Sequence, residues 1–249
     1  MNGTISIHKR DFVRAQYGII TALLVLSLLL YLYDGFGGHD LIVRGLGVFD
    51  VDREDSVPSW FSAFNLMLAA CLLLSRFVVS QVNLEKGSRY WLLLGLIFVA
   101  LSIDEVAGFH ERSAQLSAAL FSMFTTEAGS PNSKESLHWL LINWNVFGFI
   151  FVLAVLLFFL PFLRMLPKRT AGLFVLAGAI FVGGALGFEI IGDWTYAAGI
   201  AQYHDLRDNI RILIEEAGEM YGIAIFNCVL FTELTKGNRI LTLQLGSPR

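Results

Sequence analysis

The chain has 249 residues, of which 55% are hydrophobic and 16% charged, with a net charge of −3 and a mean hydropathy of +0.63. That is too apolar for one soluble core of this length, so composition excludes an ordinary water-soluble domain and points to a polytopic membrane protein. Cys71 and Cys228 both fall in apolar segments without metal-type spacing, which argues against a disulfide framework or a CxxC zinc site and makes small core residues the expectation.

The hydrophobic pattern predicts an all-α bundle in a single integral membrane domain over residues 1–249, with six spans near the roughly 20 residues that cross a bilayer. They are residues 16–33, 60–82, 91–109, 140–160, 171–191 and 212–234. The first follows Lys9, Arg10 and Arg14 in the manner of a signal peptide. Its flank, Tyr31-Leu32-Tyr33-Asp34, has no small-residue cleavage site, so it is read as a retained helix. Asp50-Val51-Asp52-Arg53-Glu54-Asp55 starts like a calcium loop but lacks a glycine at its sixth position and has Phe61 at its twelfth. A solvated acidic loop is expected there. Trp60, Trp91, Trp139 and Trp194 lie near span ends and read as interface anchors. The last span opens with three glutamates and is cleanly apolar only over residues 220–231, so a five-span chain with this helix lying across the surface is the structural alternative. The tail over residues 240–245 alternates apolar and polar but is too short to assign.

Counting by side orients the six-span arrangement. Twelve Lys and Arg against three acids fall on the side of the termini, and six against eighteen on the other. Both termini are therefore expected in the cytoplasm, with a strongly acidic extracytoplasmic face. The basic residues are this scattered set, which excludes a nucleic-acid partner. The topology brings three acidic clusters to the outer ends of the third, fifth and sixth spans: Asp104 and Glu105 with His110 and Glu111; Glu189 with Asp193; and Glu215, Glu216 and Glu219. His138 opens the fourth span on the same side. Asp104, Gly108 and Glu111 fall on one helical stripe, and Glu189/Asp193 and Glu215/Glu219 are i, i+4 pairs whose like charges repel. Gly183 with Gly187, and Gly218 with Gly222, form small-residue steps that bring the fifth and sixth helices together at the acidic level.

Pro58-Ser59-Trp60-Phe61-Ser62, Ser102-Ile103-Asp104-Glu105 with His110-Glu111, Phe188-Glu189, and Glu215-Glu216 with Glu219-Met220 resemble a widespread type of uncharacterised bacterial polytopic membrane protein. The resemblance spans most of the chain and implies a bacterial inner membrane. It carries no known activity.

Carboxylates at bilayer depth are costly unless paired, protonated, hydrated or bound to a cation, so the clusters are the expected functional site. The first reading is a divalent metal held by Asp104, Glu105, His110, Glu111, His138, Glu189, Asp193, Glu215, Glu216 and Glu219. Carboxylates outnumber imidazoles, which favours manganese, iron or a mixed-ligand zinc site over three-histidine zinc. The single Glu-x-x-His, Glu135 to His138, matches the soluble di-iron pattern only in part. His110 and His138 sit at helix ends, which counts against a bis-histidine haem. Such a metal would act on a lipid or membrane-soluble substrate by hydrolysis or oxidation. No Gly-x-Ser-x-Gly, phosphate loop, dinucleotide fingerprint or His-Glu-x-x-His is present. A cation or proton transporter is a second reading, opposed by the scarcity of charge in the inner halves of the spans, where Glu233 stands nearly alone. The third is a structural or assembly protein in which Arg112, Arg207 and Arg211 neutralise the acids.

Reporter fusions test the orientation. Fusions after Lys86 and Arg169 are expected to read cytoplasmic, and fusions near Gly45 and Ser130 extracytoplasmic; a cytoplasmic signal at Ser130 would overturn it.

Overall fold

The computed structural model describes residues 3–35, 45–109, 144–203, 205–235 and 240–245. Strand β1 (Gly3–His8) leads directly into α1 (Lys9–Gly35). A short 3-10 turn (Gly47–Phe49) precedes α2 (Val57–Val82) and α3 (Ser88–Ala107). Next come α4 (Trp144–Met165) and α5 (Lys168–Val182), which passes through a π-helix (Gly183–Phe188) into α6 (Glu189–Ala197). Helix α7 (Leu206–Leu234) and strand β2 (Ile240–Leu245) complete the chain.

Local chemistry sets the helix ends. Ser56 caps α2, its hydroxyl accepting from the Ser59 amide at 3.2 Å with Pro58 in the first turn. The turn between α2 and α3 closes at Gly87, whose φ of +83° suits glycine. Beside that turn Arg76 pairs with Glu85 at 2.5 Å and lies 5.1 Å from the centroid of Trp91. Trp91 is therefore a core residue and no interface anchor: it is 3% exposed and packs edge-on against Phe162 and Phe174. Trp60 and Trp194 are exposed as expected, and Trp139 lies outside the described residues. Cys71 also departs from expectation, facing outward from α2, while Cys228 is half-buried; both are free thiols.

Five segments are long and apolar enough to cross a membrane: Lys9–Asp34, Val57–Val82, Ser88–Ala107, Gly148–Met165 and Lys168–Ala197. They correspond to the first five predicted spans. The fourth runs past its predicted end to Met165, with Pro161 inside the helix. Its predicted start at residues 140–143 lies outside the described residues. Mean hydropathy over Gly148–Met165 is 2.4 while only 11% of that window is buried, the pattern of a helix facing lipid.

Helix α7 falls short of that composition because its first half carries Glu215, Glu216 and Glu219. It nevertheless forms the axis of the bundle, packing against α1, α2, α5 and the π-helix, with Met220, Asn227, Leu230 and Phe231 fully buried. It is thus packed inside the bundle. The tail also acquires structure: β2 pairs antiparallel with β1, Gly3 opposite Leu245 and His8 opposite Ile240. The start of α1 and the end of α7 thus meet at one end of the bundle.

The α5/α7 crossing is set by glycine, on α7 by Gly218 and Gly222 as expected, but opposite them by Gly184 in place of the Gly183–Gly187 step. A Cβ at Gly184 would stand 2.6 Å from the Glu215 carbonyl oxygen, one at Gly218 3.1 Å from the Gly184 Cα, and one at Gly222 2.7 Å from the Phe181 amide nitrogen. Gly183 and Gly187 meet nothing within 4 Å. Gly184 continues the face of α5 that carries Ala177 and Phe181, an i, i+4, i+7 stripe against which Gly218 and Gly222 pack.

Gly222→Ala forces two helix backbones apart and is expected to cost about 1–3 kcal/mol, seen as a lower Tm in detergent. Gly172→Ala, with nothing within 4 Å of its added Cβ, is the control and should leave Tm unchanged or slightly raised.

Candidate functional site

An elongated cavity of about 810 Å³ runs among α3, α4, α5 and α7. Its inner limb is apolar, lined by Phe98 and Leu101 from α3, Phe159 from α4, Phe174 from α5, and Ile223 and Phe226 from α7. Phe226 stacks on Phe98 at 4.9 Å between centroids and meets Phe174 at 4.6 Å. Glu105 comes seven residues after Phe98 and Glu219 seven before Phe226, and both glutamates also border one smaller cavity. Helices α3 and α7 therefore run in opposite directions, which sets both glutamates about 10 Å beyond the aromatic stack.

The outer limb is acidic. Asp104 and Glu105 reach it from α3, Glu189 and Asp193 from α6, and Glu215, Glu216 and Glu219 from α7. Seven of the ten residues singled out from sequence thus line one cavity, while His110, Glu111 and His138 lie outside the described residues. Of the predicted stripe from Asp104 to Glu111, the Glu111 end lies outside the described residues. Helix α3 ends at Gly108, which has φ +57° and donates its amide to the Asp104 carbonyl at 2.8 Å. A Cβ at Gly108 would stand 2.7 Å from a Glu54 carboxylate oxygen, so a side chain in the left-handed conformation would also collide with the loop.

That loop is solvated as expected, with Asp52, Arg53, Glu54 and Asp55 all exposed, and it also borders the acidic limb. Asp52, Arg53 and Glu54 line the cavity. Tyr31 donates to Asp50 at 2.6 Å, the Val51 amide donates to the Ser27 hydroxyl at 3.3 Å, and Arg53 pairs with Asp55 at 2.9 Å. Tyr196 and Tyr203 line the cavity as well. Sequence pattern did not mark these residues as part of the site; the only hint was that the loop precedes the second span on the acidic side.

Charge within the outer limb is unevenly balanced. The Arg211 guanidinium bonds Asp208 at 3.0 Å, the Phe188 carbonyl at 3.3 Å and the Glu215 carboxylate. One arginine therefore holds two carboxylates of α7 and a carbonyl at the end of the π-helix. Arg207 is engaged elsewhere, on the Ile200 carbonyl at 2.8 Å, and Arg112 lies outside the described residues. Deeper in, the charges acting on Glu219 include the carboxylates of Glu216, Glu105, Glu215 and Glu189, and those acting on Glu216 include Glu105 and Glu215. Among the described residues no group of three or more His, Cys, Asp and Glu side chains draws close enough to hold a metal ion. The carboxylates ring a wide cavity without converging on one point.

An all-α bundle with five helices long and apolar enough to span a membrane, enclosing a cavity with one acidic and one apolar limb, defines a polytopic membrane protein. The chain belongs to the family described as Domain of unknown function (DUF8692), which it matches over residues 17–234. That range takes in α1 from residue 17 onward, the later long helices in full and all ten candidate residues. No curated protein and no solved structure matches it.

Helix α7 is launched by Asp205, whose carboxylate accepts from the Asp208 amide at 2.8 Å and the Gln202 amide at 2.9 Å. Those two amide donors hold the Asp205 carboxyl below its ordinary value. A depressed folded-state value contributes stability above the unfolded one, lost as pH falls through the folded one. Asp205→Ala should therefore lower Tm at neutral pH, with the gap from wild type narrowing below about pH 4. A gap that widens on acidification would contradict this.

Proposed function

We propose that the protein binds a membrane-soluble amphiphile in the cavity, with the apolar body between α3, α4, α5 and α7 and a cation at the carboxylate end. The observation that carries this is the polarity of a single cavity, carboxylates at one end and phenylalanines at the other. A ligand that partitions into bilayers matches the second, and a positive charge matches the first.

The cation in this reading is a divalent metal ion, iron, manganese or zinc. The described carboxylates form no closed metal site by themselves, so the proposal assigns the remaining ligands to His110, Glu111 and His138. Hard carboxylate oxygens with one or two imidazoles suit these ions. A metal so placed would supply Lewis acidity toward an ester or phosphate of a lipid, or activate water or oxygen. The proposed setting is a bacterial inner membrane crossed six times, α7 included, with the acidic limb extracytoplasmic. Pairing of the terminal strands supports an even number of crossings, and the twelve-to-six basic asymmetry supports the orientation.

Two competing readings fit less well. A transport path needs polar groups through the inner half, where this cavity is lined by phenylalanine, leucine and valine. A purely structural ion-pair network accounts for Glu215 and Asp208 through Arg211, whereas the neighbouring charges that act on Glu216 and Glu219 include several carboxylates.

Elemental analysis of detergent-purified protein is expected to find metal, and Glu189→Gln and Glu219→Gln each to strip it. Loss of a ligand present at a hundredfold excess over Kd removes about 3 kcal/mol, so both variants should melt earlier than wild type. A metal-free preparation in which both variants are as stable as wild type, while Arg211→Ala unfolds readily, would replace the metal reading with the ion-pair one.

A further inference from the structure

Below the acidic limb lies a separate, much smaller cavity of about 10 Å³. Its polar border is Ser62 and Asn65 from α2, Glu105 from α3 and Glu219 from α7. Leu66, Phe181, Met220 and Ile223 close the rest and leave an otherwise apolar shell.

The orientation of Asn65 is set by its neighbour. Asn227 Nδ2 donates both to the Asn65 backbone carbonyl at 3.0 Å and to Asn65 Oδ1 at 2.8 Å. Reversing either amide would set oxygen against oxygen or nitrogen against nitrogen. Asn65 Nδ2 is thus left as a donor with no partner among the described residues, on a side chain only 3% exposed. Ser62 Oγ, one helical turn earlier, is buried and unpartnered in the same way. Two orphaned polar groups at a cavity the size of one solvent molecule, with two carboxylates opposite, meet the conditions for an internal water.

We infer that this is a built site for a single ordered water, which accepts from Asn65 Nδ2, bonds Ser62 Oγ and donates to the carboxylates of Glu105 and Glu219. The amide hydrogens of Asn65 select water over a metal or alkali cation, because a cation would face N–H bonds where it needs lone pairs. The water ties α2 to the two glutamates and orients them at the floor of the larger cavity, a positioning role that does not depend on what that cavity binds.

Ser62→Ala tests the site through the sign of its effect. If the water is there, removing a hydroxyl that holds it lowers Tm by about 2–4 °C, the shift expected for about 1 kcal/mol in a chain of this size. If the cavity is dry, the same substitution removes an unsatisfied buried hydroxyl and raises Tm, which would overturn the inference. A solved structure of the wild-type protein should show a density peak within about 2.7–3.2 Å of Asn65 Nδ2 and of a Glu105 or Glu219 oxygen. No peak there, or one with the anomalous signal of a metal, would equally overturn it.

Discussion

The architecture depends on one close approach, the crossing of α7 over the end of α5 and the π-helix. In a bilayer, helices gain little from hiding apolar surface from one another and associate through packing and interhelical hydrogen bonds. Gly184, Gly218 and Gly222 allow backbone to meet backbone at this crossing, with the Glu215 carbonyl and the Phe181 amide at distances no Cβ would permit. The contact sits at the same level as the acidic turns of α7. It draws Glu189 and Asp193 toward Glu215 and Glu219 even though those carboxylates repel, so packing holds together what electrostatics would separate.

From that crossing follows the polarity of the cavity. Residues on α7 inward of Gly222 meet aromatic rings, Phe226 against Phe98 and Phe174. Residues outward of Gly218 meet charge. The π-helix contributes by ending at the Phe188 carbonyl, which Arg211 takes up together with Glu215 and Asp208. Arg211 therefore serves both the helix end and the outer rim, while the inner group of Glu105, Glu216 and Glu219 stands beyond it.

A second support lies on the other face of α7. The Asn65–Asn227 pair joins it to α2, and Ser102 donates to the Ala63 carbonyl at 2.8 Å to join α3 to α2 at a similar depth. Polar side chains are used here as local fastenings between otherwise apolar helices, each bonded to backbone or to another amide. Together with the glycine crossing they hold α7 from two sides, so its glutamates project from a braced helix.

Much of this was legible in the residues. Hydropathy marked the long helices, because burial in lipid demands runs of apolar side chains whatever the neighbours are, and the three acidic clusters stood out because charge is rare in such runs. Their grouping around one cavity followed from counting crossings. What the sequence could not determine was anything that depends on which face of one helix meets another. Trp91 looked like an interface anchor and is core, because Arg76 and Phe162 cover it. Gly183 and Gly187 had the spacing of a packing step, but the contact falls to Gly184, on the face of α5 that carries Ala177 and Phe181. The loop around Asp52 became part of the site through Tyr31 and Ser27, distant in sequence, and the chain ends paired through backbone hydrogen bonds that side-chain pattern hardly encodes. Composition determined that this is a helical membrane protein with acids at one level, since that is a property of single segments; tertiary contact decided the rotation of each helix, and with it which carboxylates share the cavity.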